Sequence, residues 1–440
     1  MIARLRYLHE QLKTSIWLIP VALSALSALL AITMLWVDRW SGWTDVGPNA
    51  SLGFAMPVSS ARQVIGVIAG SIISVGGVAF SVTMVALTLT SGQYGPKVLR
   101  NFLDDDASKL SLGLFLGTYV YCIVLLTGFA PSDTPRFAVA AALVLAFVTL
   151  LAFVSFIHST ATNLQADQIV HRIGRQLQSA MAELADPDGH DDRRSDTLLW
   201  RRAARSHRGQ SVAAEIQGYV QSIEYPALLK WCVDRQCVLQ VGVRAGDLVV
   251  EGTTLFRVFG CSQKGLEAGL GDLRACILAG PMRTPIQDPE FAITQLNQLA
   301  ARALSPGIND PGTAVTCVDW FSVGLSRIID KAIPGSVFLD ADGKPRLLAK
   351  VNLLDGVLKS IYAPLRQAAR EDLAVGIRLI ESLCRLAQLT RRDARLQMLA
   401  WHGTLIWKEA QRASHAPEDL EDMGRRHTRL MRLTRGAASW

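Results

Sequence analysis

The long uncharged runs of this chain all fall before residue 158, and no run of comparable length follows. Four stretches stand out, at 14–37, 63–92, 110–130 and 137–157. Each has roughly 20 or more residues with almost no charge, enough to cross a hydrocarbon layer of about 30 Å as a helix. Lipid has no water to satisfy the backbone, so a spanning segment must make its hydrogen bonds within itself. The first run is too long, and too closely followed by others, for a cleaved signal peptide. Half of all residues are hydrophobic, yet 19% are charged, so the chain is not membrane throughout.

This pattern predicts an α-helical membrane protein with four transmembrane helices plus a cytoplasmic α+β region. The boundaries read as a four-helix transmembrane domain over 1–160 and a cytoplasmic helix and linker over 161–210. A small barrel-sandwich-like β domain over 211–280 and a mainly helical domain over 281–440 follow.

The net charge of +7 is distributed by side. Arg4, Arg6 and Lys13 precede the first run; Lys97, Arg100 and Lys109 lie between the second and third; Arg172 and Arg175 follow the fourth. Only Arg39, Arg62 and Arg136 fall on the other side. By the positive-inside rule both termini are expected in the cytoplasm of a multi-pass protein of the inner (plasma) membrane. Trp17 and Trp36 sit near the two ends of the first span, as interfacial anchors do. No nucleic-acid-binding motif accompanies the charge, so the basic residues are read as facing anionic lipid, with no nucleic acid as partner. Of seven cysteines, Cys122 lies in a span. Cys232, Cys237, Cys261, Cys276, Cys317 and Cys384 fall in a reducing compartment, where disulfides are not expected. None completes a zinc pattern, so neither metal nor cofactor is expected.

The second span is longer than a bilayer needs, so it must tilt or project. Gly66, Gly70, Ser74, Gly77, Ser81 and Thr88 recur at spacings of three, four or seven and share one face. Two readings stay open: a polar seam lining a water path, or close helix packing by small residues. Gly113 and Gly117 make a similar small pair in the third span, where packing is the expected role. No ionisable side chain sits in the middle of a span, which argues against a proton-coupled carrier but not against a channel lined by hydroxyls and backbone. Gln93-Tyr94-Gly95-Pro96-Lys97 breaks the second span, and Asp104, Asp105 and Asp106 form an acidic cluster that reads as a solvated helix cap. His158 closes the fourth span and is expected to be packed at the interface.

Beyond the membrane part, 186–210 reads as a flexible linker. Tyr219–Ile223 and 238–243 alternate or are β-branched and read as strands. The run Arg244-Ala245-Gly246-Asp247-Leu248-Val249-Val250-Glu251-Gly252, with its two glycine turns, resembles the half-motif of biotinyl/lipoyl-like sandwich domains. The carrier form of that motif presents a lysine on a hairpin. Here the only lysine of 211–259, Lys230, precedes the strands, so a structural β domain without attached cofactor is expected. A strand is expected within 273–278. Asp288-Pro289 and Asp310-Pro311 each start a helix, with aspartate as cap and proline in the first turn; the two caps are expected to face a common turn. Asp340-Ala341-Asp342-Gly343 reads as a hairpin turn, and 353–369, 373–388, 393–410 and 420–433 have the apolar spacing of helices.

These residues resemble the bacterial predicted membrane proteins grouped as domain of unknown function 2254, over nearly the whole chain. Phe80-Ser81, Ser91-Gly92-Gln93, Pro96 and Phe156-Ile157-His158 match the ends of two spans. Gly218-Tyr219, Arg283-Thr284, Gln287-Asp288 and 303–314 match the soluble signatures. Lys97 stands where the family pattern has arginine, and Gly312 where it has a bulkier residue. The resemblance implies the topology and supplies no activity.

Arg283, Thr284, Gln287, Asp288, Ser305, Asn309, Asp310 and Thr313 are the candidate ligand-binding or structural motif of the soluble part. Together with Asp319, the charged members have the chemistry to hold a metal or a phosphate. All have capping or ion-pair roles available as well. There is no phosphate-loop lysine, no nucleophile elbow and no histidine pair, so no enzyme is expected. Two functions remain open on sequence alone. One is an oligomeric, channel-like or pore-forming assembly with a cytoplasmic regulatory domain. The other is a membrane-anchored ligand sensor or scaffold. The partners expected are the lipid bilayer, further copies of the chain, and a small ion or ligand.

Overall fold

The computed structural model describes residues 17–41, 57–94, 106–129, 135–184, 200, 209–285, 287–331, 336–351, 353–413 and 415–435. The basic flanks Arg4, Arg6, Lys13, Lys97 and Arg100, the acidic pair Asp104 and Asp105, and most of the 186–210 linker lie outside them. Two compact units divide the chain at residues 169 and 170.

The first unit holds four helices long and apolar enough to cross a membrane. They are α1 (Leu18–Ser41), α2 (Val58–Tyr94), α3 (Asp106–Gly128) and α4 (Arg136–Asn163). Helix α3 is the hub, packed by each of the other three. Small residues on α3 bring α1 onto its backbone. A Cβ added at Gly113 would lie 2.6 Å from Leu23 Cδ1, and one at Gly117 would lie 2.7 Å from Ser27 Oγ. This is the close approach that small residues permit in lipid, where van der Waals contact replaces hydrophobic driving force. Several polar groups inside the unit are paired across helices. Thr118 and Thr149 hydroxyls lie 2.8 Å apart, and Tyr121 Oη donates to Ala138 O at 2.9 Å. Asp38, near the end of α1, caps α4 from a distance: it accepts from Phe137 N at 3.0 Å and Ala138 N at 2.9 Å. A carboxylate at a helix N-terminus satisfies orphan amides and faces the positive end of the dipole. His158 is exposed on α4, not packed.

The second unit begins within α5 (Ala166–Glu183). Two sheets follow. A five-stranded sheet runs in the order β1 (Gln210–Ala213), β5 (Thr254–Phe259), β3 (Val238–Val241), β8 (Pro345–Leu348), β7 (Val337–Leu339). Its pairs are antiparallel except β3 with β8. A three-stranded antiparallel sheet has β2 (Gly218–Ile223) between β4 (Leu248–Val249) and β6 (Ile277–Gly280). The small barrel-sandwich-like β domain expected over 211–280 is not seen as a self-contained module. Its sheet recruits β7 and β8 from the hairpin at Asp340–Gly343. Two helices absent from the strand reading, α6 (Tyr225–Asp234) and α7 (Gln263–Ala275), interrupt the strands. The reason is visible in the periodicity. Leu228, Trp231 and Cys232 recur at helical spacing and bury together with Leu239, Phe256 and Leu347. The strand expected within 273–278 begins only at Ile277, because Leu273 closes the buried face of α7.

Helices α8 (Pro289–Ala303), α9 (Pro311–Ser326), α10 (Leu354–Ala368), α11 (Leu373–Gln388), α12 (Asp393–Arg412) and α13 (Pro417–Arg435) complete the unit. Ser382 on α11 bridges the core, 2.7 Å from Tyr362 Oη and 2.8 Å from Ser322 Oγ. The end of α9 is closed by Arg395, which is 4% exposed and donates to the carbonyls of Ile328, Ile329 and Lys331. A buried guanidinium is tolerated there because it satisfies carbonyls that have no partner within the helix. Helix α5 lies on α9, with Gly174 against the Trp320 ring and Leu177 against Gly324.

Candidate functional site

The six seam residues do fall on one face of α2, and that face has no partner among the described residues. Gly66, Gly70, Ser74, Gly77, Ser81 and Thr88 are all exposed. A Cβ added at Gly66, Gly70 or Gly77 would have nothing within 4 Å. The hydroxyls return to their own helix: Ser74 Oγ donates to Gly70 O at 2.8 Å, Ser81 Oγ to Gly77 O at 3.0 Å and Thr88 Oγ1 to Met84 O at 2.8 Å. The packed face of α2 is the other one, carrying Ala61, Ile65, Ala69, Ile72, Ala79 and Ala86. At 100° per residue the two faces are roughly opposite. Close packing within the chain is therefore the role of Gly113 and Gly117, not of the α2 seam.

In the second unit the candidate motif divides in two. Arg283, Thr284, Gln287 and Asp288 gather at the start of α8. Ser305, Asn309, Asp310 and Thr313 gather beyond its end. The 15 residues of α8 put about 22 Å between them. The two aspartate caps thus do not face a common turn, because a full helix separates them.

The first group is a site in three dimensions. Asp288 is 2% exposed in its side chain, accepts from Arg283 Nε at 2.7 Å and caps α8 through Glu290 N at 3.1 Å. The glycine turn from the sandwich-like segment lies directly on this ion pair. A Cβ at Gly246, whose φ is +89°, would sit 2.5 Å from Asp288 Oδ2 and 2.9 Å from the nearer Arg283 terminal nitrogen. Around that contact the charges alternate. Arg244 donates to Glu290 at 2.9 Å, and Lys350 Nζ donates to Asp247 at 2.7 Å. Asp247 also accepts from Arg244 N at 3.1 Å, closing its own turn. Gln287 completes the framework by pairing with the backbone of Ile223, accepting from its N at 2.8 Å and donating to its O at 3.2 Å. Thr284 Oγ1 is buried with no hydrogen-bond partner among the described residues.

Arg244, Gln287 and Asp288 line one flank of a cleft of about 330 Å³, whose other walls include Leu184, Tyr225, Phe338 and Lys350. Tyr225 and Phe338 stack at 5.4 Å, only 12° from parallel. Burial, opposed by Arg283, holds the Asp288 carboxyl above its ordinary pKa. Burial first, and Asp247 second, push the Tyr225 hydroxyl up to about 12, so it stays a neutral donor. The result is a part-aromatic pocket with fixed charges of both signs, each already satisfied by a neighbour. That arrangement suits recognition of a small molecule by shape and by exchange of ion-pair partners.

The second group is a corner held by its own hydrogen bonds, with Asn309 and Asp310 exposed and Thr313 buried. Asp310 accepts from Thr313 N at 3.1 Å and from Thr313 Oγ1 at 2.5 Å. Asn309 takes φ of 50°, with its N donating to Ser305 O at 2.9 Å, and Ser305 Oγ donates to Arg302 O at 2.6 Å. Asp319 belongs to neither group and pairs with Arg385 at 3.1 Å. What the motif reading missed were Arg244, Gly246, Asp247, Glu290 and Lys350. The two-glycine turn pointed at three of them, but nothing in the order of residues says that it meets Asp288.

Comparison with known proteins agrees with this architecture. The model of a family described as "Predicted membrane protein (DUF2254)" matches residues 13–385. Uncharacterized proteins of Mycobacterium tuberculosis, strain CDC 1551, and of Mycobacterium bovis are each 25% identical over 423 residues, covering 94% of this chain and 79% of the relative. No solved structure matches.

Proposed function

We propose a function from one premise: the chain belongs to the DUF2254 family of predicted membrane proteins. On that premise the chain is a subunit of a homo-oligomeric, channel-like assembly of the inner membrane. Both termini lie in the cytoplasm, and the soluble unit is a regulatory domain. The observation that carries the proposal is the outward seam of α2. Its 37 residues extend about 55 Å, well beyond a hydrocarbon core of about 30 Å. Six small or hydroxyl-bearing residues along it face away from the other described helices of the first unit. Lipid has no use for such a face. A second copy does, because small residues let backbones approach, and hydroxyls suit partly dehydrated ions without a buried charge.

Native mass measurement in lipid nanodiscs tests the assembly. A defined oligomer is expected, reduced toward monomer by Gly70→Leu with Gly77→Leu. A monomer at every concentration contradicts it. A second reading, a membrane-anchored ligand sensor without transport, is favoured by the cleft beside Asp288. It predicts a monomer or dimer that binds a small molecule and conducts nothing.

A further inference from the structure

Helices α11 and α13 pack side by side, with Met423 Cε 3.2 Å from where a Cβ on Gly376 would stand and Cys384 Sγ contacting Arg426 O. Between them runs a groove of about 470 Å³. Arg378 and Arg385, seven residues apart and therefore on one face of α11, line it with Arg426 and Arg429 of α13. Glu381 is the only acid in the lining among the described residues. Helix α13 lies beyond residues 13–385, which the family model matches.

Three of the four guanidiniums are fixed by acids placed around the groove. Asp319 lies 3.6 Å from Arg378 and 3.1 Å from Arg385. Glu381 lies 3.7 Å from Arg378 and 2.9 Å from Arg426, which Asp422 also holds. Arg429 is exposed and has no acidic partner among the described residues. A network that only tied α9, α11 and α13 together has no need of it. Four arginines against Asp319, Glu381 and Asp422 leave one positive charge uncompensated.

We propose that this groove is a binding site for a phosphate-bearing anion, either a soluble phosphate compound or an anionic lipid headgroup. Guanidinium forks match phosphate oxygens two at a time. Arg378, Arg385 and Arg426 are held in place by their acids, so little side-chain freedom remains to be lost on binding. Arg429 supplies the uncompensated charge, and the Gln388 amide at the rim adds a donor.

The test uses the full chain in nonionic detergent, titrated with inorganic pyrophosphate by calorimetry at low salt. One saturable site is expected. Arg429→Gln is expected to weaken it about tenfold, or about 1.4 kcal/mol, without moving the melting temperature, since Arg429 holds no structural pair. Arg385→Gln should weaken it as well, whereas Arg412→Gln, 73% exposed on α12, should not. Repeating the titration in nanodiscs separates the sources. Loss of pyrophosphate binding in phosphatidylglycerol but not in phosphatidylcholine identifies a lipid headgroup. Equal binding in both identifies a soluble phosphate compound. Absence of saturable pyrophosphate binding in detergent, or binding indifferent to Arg429→Gln, overturns the proposal.

Discussion

Replacing Gly246 by alanine isolates the contact on which the cleft is built. Two costs arise. The φ of +89° is one that L side chains rarely adopt, a strain of about 1–2 kcal/mol. The new Cβ would also stand 2.5 Å from Asp288 Oδ2, so the turn or the ion pair must move. Disrupting a buried pair outright costs about 3–5 kcal/mol. Arg283 is 28% exposed, so it can shift, and the lower half of that range is the better expectation. The sum is roughly 4–6 kcal/mol, or a fall of about 8–24 °C in melting temperature for a domain of this size. Gly252 supplies the control. Its φ is +87°, yet a Cβ there meets nothing within 4 Å, so Gly252→Ala should lose only the backbone strain, about 2–8 °C. Melting of the full chain in detergent, followed by tryptophan fluorescence, reads both. Equal losses for the two variants would mean that the turn does not rest on the ion pair, and the cleft as described would be refuted.

Arg283→Gln leaves Asp288 buried without its cation, and the penalty should depend on pH. Burial already holds the Asp288 pKa up, so its contribution to stability is greatest below the ordinary carboxylate value and is lost as pH rises through the raised one. Without Arg283 the pKa climbs further, so Arg283→Gln should be more destabilising at pH 8 than at pH 5; a penalty that grows on acidification contradicts the assignment. Asp310→Asn should keep the cap on α9 and melt within about 2 °C of the parent, whereas Asp310→Leu loses about 1 kcal/mol. An Asp310→Asn variant that folds normally but loses ligand binding or conductance would show that the charge itself is used.

The four candidate spans were legible because a membrane-crossing helix needs a pattern no soluble segment needs, and the described helices contain or closely follow the uncharged runs. The last four helices were equally plain, with α11 running over Leu373–Gln388 as its apolar spacing indicates. Local capping was legible too: Asp288 and Asp310 both accept from the first-turn amides of the helices they start. Long-range pairing was not. The parallel contact of β3 with β8 joins Leu239 to Leu347, and no local pattern announces a partner so distant in sequence. The same limit hid the meeting of Gly246 with Asp288. For the seam, periodicity gave the face correctly but could not say what the face touches. Small residues read alike whether they meet a neighbouring helix, as at Gly117, or nothing within 4 Å among the described residues, as at Gly77.

The claim that the α2 seam faces a water path between copies is tested most directly by thiol accessibility in a reconstituted bilayer. Cysteines at Ser74 and Ser81 should react with a water-soluble thiol reagent and change the conductance of purified protein. A cysteine at Ala79, buried on the opposite face with 0% exposure, should do neither. Equal protection at all three positions, with no conductance before or after labelling, would contradict the account and leave α2 as an anchor.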